Sequence, residues 1–210
     1  MKIALLGAES TGKSTLAHEL AAHLRRDGRS VAVVDEVLRQ WCERARRAPR
    51  PEEQLPIAQA QEGRVDAAAA GVDIVIADTT ALMVAIHGAL LFPDHPLLQF
   101  ALERQRGYDL TLVMGLDLPW VDDGLQREAG SRERTDALVR TLLDRAGVAY
   151  RVVYGTGRER LRHALAALPV GLAPRPAGAA GSLRAWQWQC DKCSDPECEH
   201  RLFANLASAR

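Results

Sequence analysis

Nine consecutive residues near the start of the chain, Gly7-Ala8-Glu9-Ser10-Thr11-Gly12-Lys13-Ser14-Thr15, could hold a triphosphate. The first eight read G-x-x-x-x-G-K-S, the phosphate-binding P-loop. Glycines let the backbone wrap tightly and turn several N–H groups inward. A helix starting at the end of the loop aims its partial positive charge at the same spot. Lys13 would reach the β- and γ-phosphates, and the Ser14 hydroxyl would ligate Mg²⁺. The bland alternative is a glycine-rich strand-to-helix turn with no ligand. The full pattern between an apolar run and a helical one points to ATP and Mg²⁺ as cofactors.

Three other groups could act with it. Asp78 ends an apolar run and is the expected second magnesium partner; its alternative role is a helix N-cap before Thr79 and Thr80. Asp35 and Glu36 close another apolar run. Either carboxylate could take the proton of an acceptor hydroxyl, or the pair could be a solvated cap on the next helix. Arg127, Arg132 and Arg134 lie in a polar segment from Asp122 to Arg134. Guanidinium groups on such a lid can stabilise the transferring phosphoryl group, or they can be a solvated helix start. An arginine supplied within the chain argues against a switch GTPase that waits for a partner. Trp120 follows Pro119 and could stack on a flat or cationic ring, or anchor the lid in the core.

The tail carries different chemistry. Cys190, Cys193, Cys198 and His200 make C-x2-C-x4-C-x-H. Three thiolates and an imidazole suit one tetrahedral, structural Zn²⁺. So short a tail buries too little to fold alone, whereas zinc can supply on the order of 10 kcal/mol of apparent folding energy. The alternative is a disordered tail with free thiols. Cys42 lies far off in sequence and reads as a helix residue.

These groups need a scaffold. Ile3–Leu6, Val31–Val34, Val72–Ala77, Leu110–Leu116 and Tyr150–Tyr154 read as strands. Helical patterns follow the P-loop and Glu36, then cover 52–70, 81–91, 96–106, 136–146 and 158–168. Alternating strands and helices predict an α/β fold of the P-loop NTPase kind, with a mainly parallel five-stranded sheet and helices on both faces. Ligands then sit at the carboxyl ends of the strands. Residues 1–168 read as this domain, 169–181 as a Pro/Gly/Ala linker, and 182–210 as the short zinc-binding-like tail.

Composition sets the bounds. The chain has 210 residues, 47% apolar, with 27 basic against 27 acidic side chains. A net charge of zero gives no general attraction to nucleic acid or membrane. Only Lys2, Lys13 and Lys192 are lysines, so one of the three falls where the P-loop wants a compact ammonium. No apolar run approaches the ~18 residues of a membrane span, and the first apolar stretch is too short for a signal peptide. The expectation is a cytoplasmic protein with a small-molecule substrate, its tail a candidate docking element for a protein partner.

The residues resemble one family: the ribosylnicotinamide kinase domain of NadR-type proteins, among the P-loop kinases and AAA-like ATPases. The resemblance rests on the E-S-T-G-K-S-T stretch running from Glu9 to Thr15, on Ala77-Asp78-Thr79-Thr80, and on Pro119-Trp120-Val121-Asp122-Asp123-Gly124-Leu125 with arginines soon after. It covers roughly residues 1–168. It implies transfer of the ATP γ-phosphate to the 5′-hydroxyl of nicotinamide riboside, giving nicotinamide mononucleotide, with Trp120 and Asp123 joining Asp35 and Glu36 as acceptor-binding residues. The chain departs from the pattern at Gln126, where the family has an arginine; Arg127 is next. The sequence has no H-x-G-H signature, so adenylyl transfer is not implied, and the cysteine tail is additional to the family pattern. Two further readings are a kinase for another nucleoside or metabolite, and an ATP-binding regulatory module that docks through its tail.

Overall fold

The computed structural model describes residues 1–88, 95–119 and 130–169. All of the linker after residue 169 and the whole tail therefore lie outside the described residues, as do Trp120, Asp123, Arg127 and the four proposed zinc ligands, Cys190, Cys193, Cys198 and His200. The elements run β1 (Lys2–Leu6), α1 (Lys13–Arg26), β2 (Val31–Val34), α2 (Val37–Ala45), α3 (Pro51–Ala69), β3 (Ile74–Asp78), α4 (Ala81–His87), α5 (Pro96–Gln105), β4 (Leu110–Met114), α6 (Ser131–Arg145), β5 (Arg151–Val153) and α7 (Gly157–Ala166).

The strands form one sheet in the order β2-β3-β1-β4-β5, and every pairing is parallel. Strands buried on both faces read as continuous apolar runs, which is why β1 and β3 stand out in the sequence. Alternate side chains serve opposite faces. Ile3, Leu5, Ile76, Leu112 and Met114 pack with Leu16 and Leu20 of α1 and Leu165 of α7. Leu6, Val113 and Val152 face the other way, onto α4, α5 and α6. Ala4 and Ala77 are small enough to let Val65 of α3 approach the sheet. Among the described residues, no helix is long and apolar enough to cross a membrane.

Several boundaries differ by a residue or two from the sequence expectation, and two of the differences have a visible cause. β3 begins at Ile74 rather than Val72. Asp73 instead exchanges hydrogen bonds with Ser30: the Ser30 N–H donates to Asp73 Oδ2 at 2.9 Å, and the Asp73 N–H to Ser30 Oγ at 2.8 Å. α6 begins five residues earlier than Asp136, at Ser131. Gly130 takes a left-handed φ of 78° as its N-cap, and Glu133 in the first turn favours the helix dipole. Arg132 and Arg134 therefore belong to the first turns of a helix, not to a polar loop, which corrects that part of the lid expectation.

Candidate active site

The P-loop leaves β1 at Gly7, where φ is 143° and a Cβ would come within 3.0 Å of Met114 Cβ on the neighbouring strand. No side chain fits between these strands. Gly12, with φ 76°, turns the chain into α1, and a Cβ there would sit 2.9 Å from Leu118 Cδ1. The buried Thr11 hydroxyl donates to Ala8 O at 2.7 Å and braces the loop from within.

Lys13 lies folded back on this loop, its Nζ donating to Gly7 O at 2.9 Å and Ala8 O at 2.7 Å. Burial pushes its ammonium below the usual lysine range, against the opposing pull of Glu36, Asp78 and Glu9. The Ser14 hydroxyl donates to Asp78 Oδ2 at 2.5 Å. Asp78 stands at the end of β3, beside Leu5 of β1 in register. Its other oxygen, Oδ1, is buried and has no hydrogen-bond partner. A hydroxyl and a carboxylate with one orphaned oxygen form an oxygen-only donor set, and these residues fit Mg²⁺. Capping does not explain Asp78, because Thr80 is the N-cap of α4 and its hydroxyl accepts from the Leu82 N–H at 3.2 Å.

The structure separates Asp35 from Glu36. The Asp35 side chain is 60% exposed, with the His18 imidazole 4.0 Å from its carboxylate. Glu36 is only 12% exposed and stands 3.3 Å from Arg39 Nη2. Burial pushes the Glu36 carboxyl above the usual range, against the pull of Lys13 and Arg39. Glu36 is the N-cap residue of α2, yet its side chain makes no cap bond. Gln61 of α3 does that work, its Oε1 accepting from the Val37 N–H at 2.8 Å. Glu36 lines a cavity of about 210 Å³, together with Glu9, Arg39, Gln54 and His87 and the apolar Leu38, Cys42 and Val84. Asp35 does not line it.

α3 organises this half of the site. Gln54, Ile57, Ala58, Gln61, Glu62 and Val65 are its buried residues, spaced as one helical stripe. Glu62 Oε1 accepts from the Ala81 N–H at 2.9 Å, so α3 satisfies the first turns of both α2 and α4. Sequence reasoning missed these residues. The signal was present: polar side chains on an otherwise apolar stripe have partners to satisfy.

Arg160 of α7 is the other missed residue. It is 4% exposed. Its Nη2 donates to Asp117 Oδ1 at 2.6 Å, its Nε to Gly155 O at 2.8 Å, and its Nη1 to the Thr11 carbonyl of the P-loop. Burial pushes its guanidinium below the usual range, against the pull of Asp117. The loop after β4, the P-loop and α7 are joined through this one side chain. Of the lid arginines, Arg132 donates from Nη2 to Leu118 O at 3.0 Å, next to the P-loop wall, and Arg134 is exposed.

A family model described as an AAA domain matches residues 2–160. No curated protein matches the chain in sequence. Among solved structures, the NadR protein in complex with NAD and AMP-PNP aligns with a TM-score of 0.60 at 20% identity, over 79% of this chain and 48% of that one. The NadR protein in complex with NR aligns with a TM-score of 0.61 at 19% identity, over 79% of this chain and 49% of that one. The chain thus spans about half the length of those structures, and at such identities the shared feature is the fold.

Proposed function

The chain belongs to the AAA-domain family, and from that premise we propose that it is an ATP-dependent small-molecule kinase acting on the 5′-hydroxyl of nicotinamide riboside. The observation that carries the reading is Glu36. It is a buried carboxylate, free of capping duty, electrostatically coupled to Lys13 and open to a cavity beside the P-loop. The NadR structures bound to NR and to AMP-PNP support this choice of acceptor and donor.

In the proposed reaction the triphosphate lies on the backbone N–H groups of the P-loop. Lys13 exchanges its carbonyl partners for phosphate oxygens and stabilises the charge that builds on them. Glu36 accepts the proton of the acceptor hydroxyl. That oxygen attacks the γ-phosphorus, the bond to the β-phosphate oxygen breaks, and ADP leaves. Ser14 and Asp78 would hold Mg²⁺, which neutralises phosphate charge when bound. Among the described arginines of this segment, Arg132 bonds to Leu118, which packs beside Gly12 of the P-loop, and it is proposed to meet the transferring group; Arg127, Trp120 and Asp123 are proposed to complete the lid and acceptor contacts. For the tail we propose one structural zinc on Cys190, Cys193, Cys198 and His200. Elemental analysis of metal-replete protein should find about one zinc per chain, lowered in Cys193→Ser; a metal-free tail with all thiols titratable would overturn that.

The kinase reading is tested by acceptor-dependent ADP release. Adding nicotinamide riboside to enzyme and Mg-ATP should raise ADP release and give its 5′-phosphate by mass spectrometry. Phosphorylation of a different nucleoside alone would reassign the acceptor. Slow hydrolysis indifferent to every acceptor would instead identify an ATP-binding regulatory module.

A further inference from the structure

Resting on the reading in which Ser14 and Asp78 hold Mg²⁺, we propose that Glu62 and Gln105 are positioning residues for that site. From α3 and α5 they clamp the strained turn after Asp78 and so fix its carboxylate for the metal. Among the described residues, three other than glycine take a left-handed φ: Ser10, Arg46 and Thr79. Thr79 is the β-branched one, with φ 74°, and a branched side chain there is a steric outlier. It directly follows Asp78 and is buried. Such a conformation persists only where its surroundings over-determine it.

The surroundings do so from both sides. Upstream, the sheet pins the chain: Asp78 pairs with Leu5 in register, and the Thr79 N–H donates to Leu5 O at 3.1 Å. Downstream, two buried side chains take over. The Ala81 N–H donates to Glu62 Oε1 at 2.9 Å, and the Thr80 hydroxyl donates to Gln105 Oε1 at 2.7 Å. Each clamp is itself braced. The Tyr108 hydroxyl donates to Glu62 Oε2 at 3.1 Å, and burial pushes that phenol above its usual range, so it stays a donor. Gln105 Nε2 donates to Thr111 Oγ1 of β4 at 3.0 Å. Glu62, Gln105 and Thr111 are at most 2% exposed, and none of them lines the cavity that Glu36 lines. A helix of seven residues needs no such frame to start, because Thr80 already caps α4 through the Leu82 N–H. The result shows at the carboxylate. Oδ2 is fixed against the Ser14 hydroxyl, and Oδ1 is left without a partner. Groups behind a metal ligand set its orientation and hence its affinity. Releasing either clamp lets Thr79 relax toward a negative φ, and the carboxylate one residue back loses its fixed aim.

The test uses the full chain and needs no acceptor. Calorimetry measures AMP-PNP affinity in excess Mg²⁺ and in EDTA, and the ratio of the two is the metal's contribution. Wild type should bind more tightly with Mg²⁺, and Asp78→Asn should abolish that gain. Glu62→Leu and Gln105→Leu should each cut the ratio by roughly 10-fold, with metal-free affinity within a few-fold of wild type. Glu62→Gln keeps an oxygen for the Ala81 N–H and should stay near wild type. Glycine accepts a left-handed φ freely, so adding Thr79→Gly to Gln105→Leu should restore most of the ratio. Where circular dichroism shows that a leucine variant does not fold, Thr80→Val removes only the hydroxyl and carries the same prediction. A ratio retained in the variants, a fall matched in EDTA, or no rescue by glycine would overturn the proposal and leave the metal reading standing. No Mg²⁺ effect in wild type, or one untouched by Asp78→Asn, would overturn the metal reading and this proposal with it.

Discussion

Residues 7–14 assemble the phosphate side of the site within one short loop, whereas the neighbouring cavity joins Glu9 of that loop to Glu36, Gln54 and His87 from three other segments. The first side is mainly backbone: Gly7 and Gly12 set its path, Thr11 braces it, and only Lys13 and Ser14 add chemistry. The second is side chain throughout, and its geometry depends on how α2, α3 and α4 pack. The difference teaches where damage spreads. A change on the phosphate side should strike turnover with any acceptor, while a change in the cavity should strike one acceptor and spare the nucleotide.

The sharpest break is Lys13→Ala. Turnover should fall by roughly 10³-fold or more with every acceptor tried. Circular dichroism and the melting temperature should show an intact fold, since burial disfavours the charged lysine. Near-normal turnover would remove the phosphate side from the account.

Glu36→Gln tests the cavity. The rate should drop by roughly 10²–10³-fold, with AMP-PNP affinity within a few-fold of wild type. Its pH behaviour carries a second check. The folded-state pKa of Glu36 is raised, so its ionised form is disfavoured by folding. The stability linked to this group is present at acid pH and is lost as pH rises through the raised value. At pH 8 the glutamine variant should therefore melt higher than wild type, and the gap should close toward acid pH. For the same reason the acidic limb of wild-type kcat/KM should lie above the ordinary glutamate value of about 4.3. A limb at or below that value would argue against Glu36 as the base.

Arg160→Ala probes the joint beneath the P-loop. It leaves Asp117 and the Thr11 carbonyl without their shared partner. Chemical denaturation should show a loss of about 2 kcal/mol, with weakened AMP-PNP binding. A change in stability without a change in nucleotide affinity would confine Arg160 to a packing role.

The smallest effect is expected at Asp35. Its side chain is exposed and does not line the cavity, so Asp35→Asn should leave kcat/KM within about twofold and stability within about 0.5 kcal/mol. A large loss there would erase the distinction between two adjacent carboxylates on which the cavity's assignment depends.

That distinction marks how far the sequence could be read. The P-loop, Asp78 and the parallel sheet were legible because each leaves a local trace: fixed spacing, an acid at a strand end, apolar runs broken by helices. Asp35 and Glu36 could not be told apart, because what frees Glu36 is Gln61, 25 positions from it in the chain, which caps α2 in its place. The start of α6 was misread because arginines dominate the segment and obscure the Gly130 cap. Arg160 was not singled out, because one arginine among many carries no mark of the buried face it shares with Ala164 and Leu165. Each miss concerns a polar side chain whose partner lies across the fold, and spacing carries no record of such pairings.

The central claim is that Glu36 serves an acceptor bound beside a working P-loop. It is tested most directly by initial rates of ADP release from Mg-ATP, with and without nicotinamide riboside, in wild type and Glu36→Gln at matched nucleotide saturation. The account predicts strong stimulation by the riboside in wild type, its near-complete loss in the variant, and an unchanged acceptor-independent rate in both. Equal stimulation in the two proteins, or stimulation in neither, would contradict it.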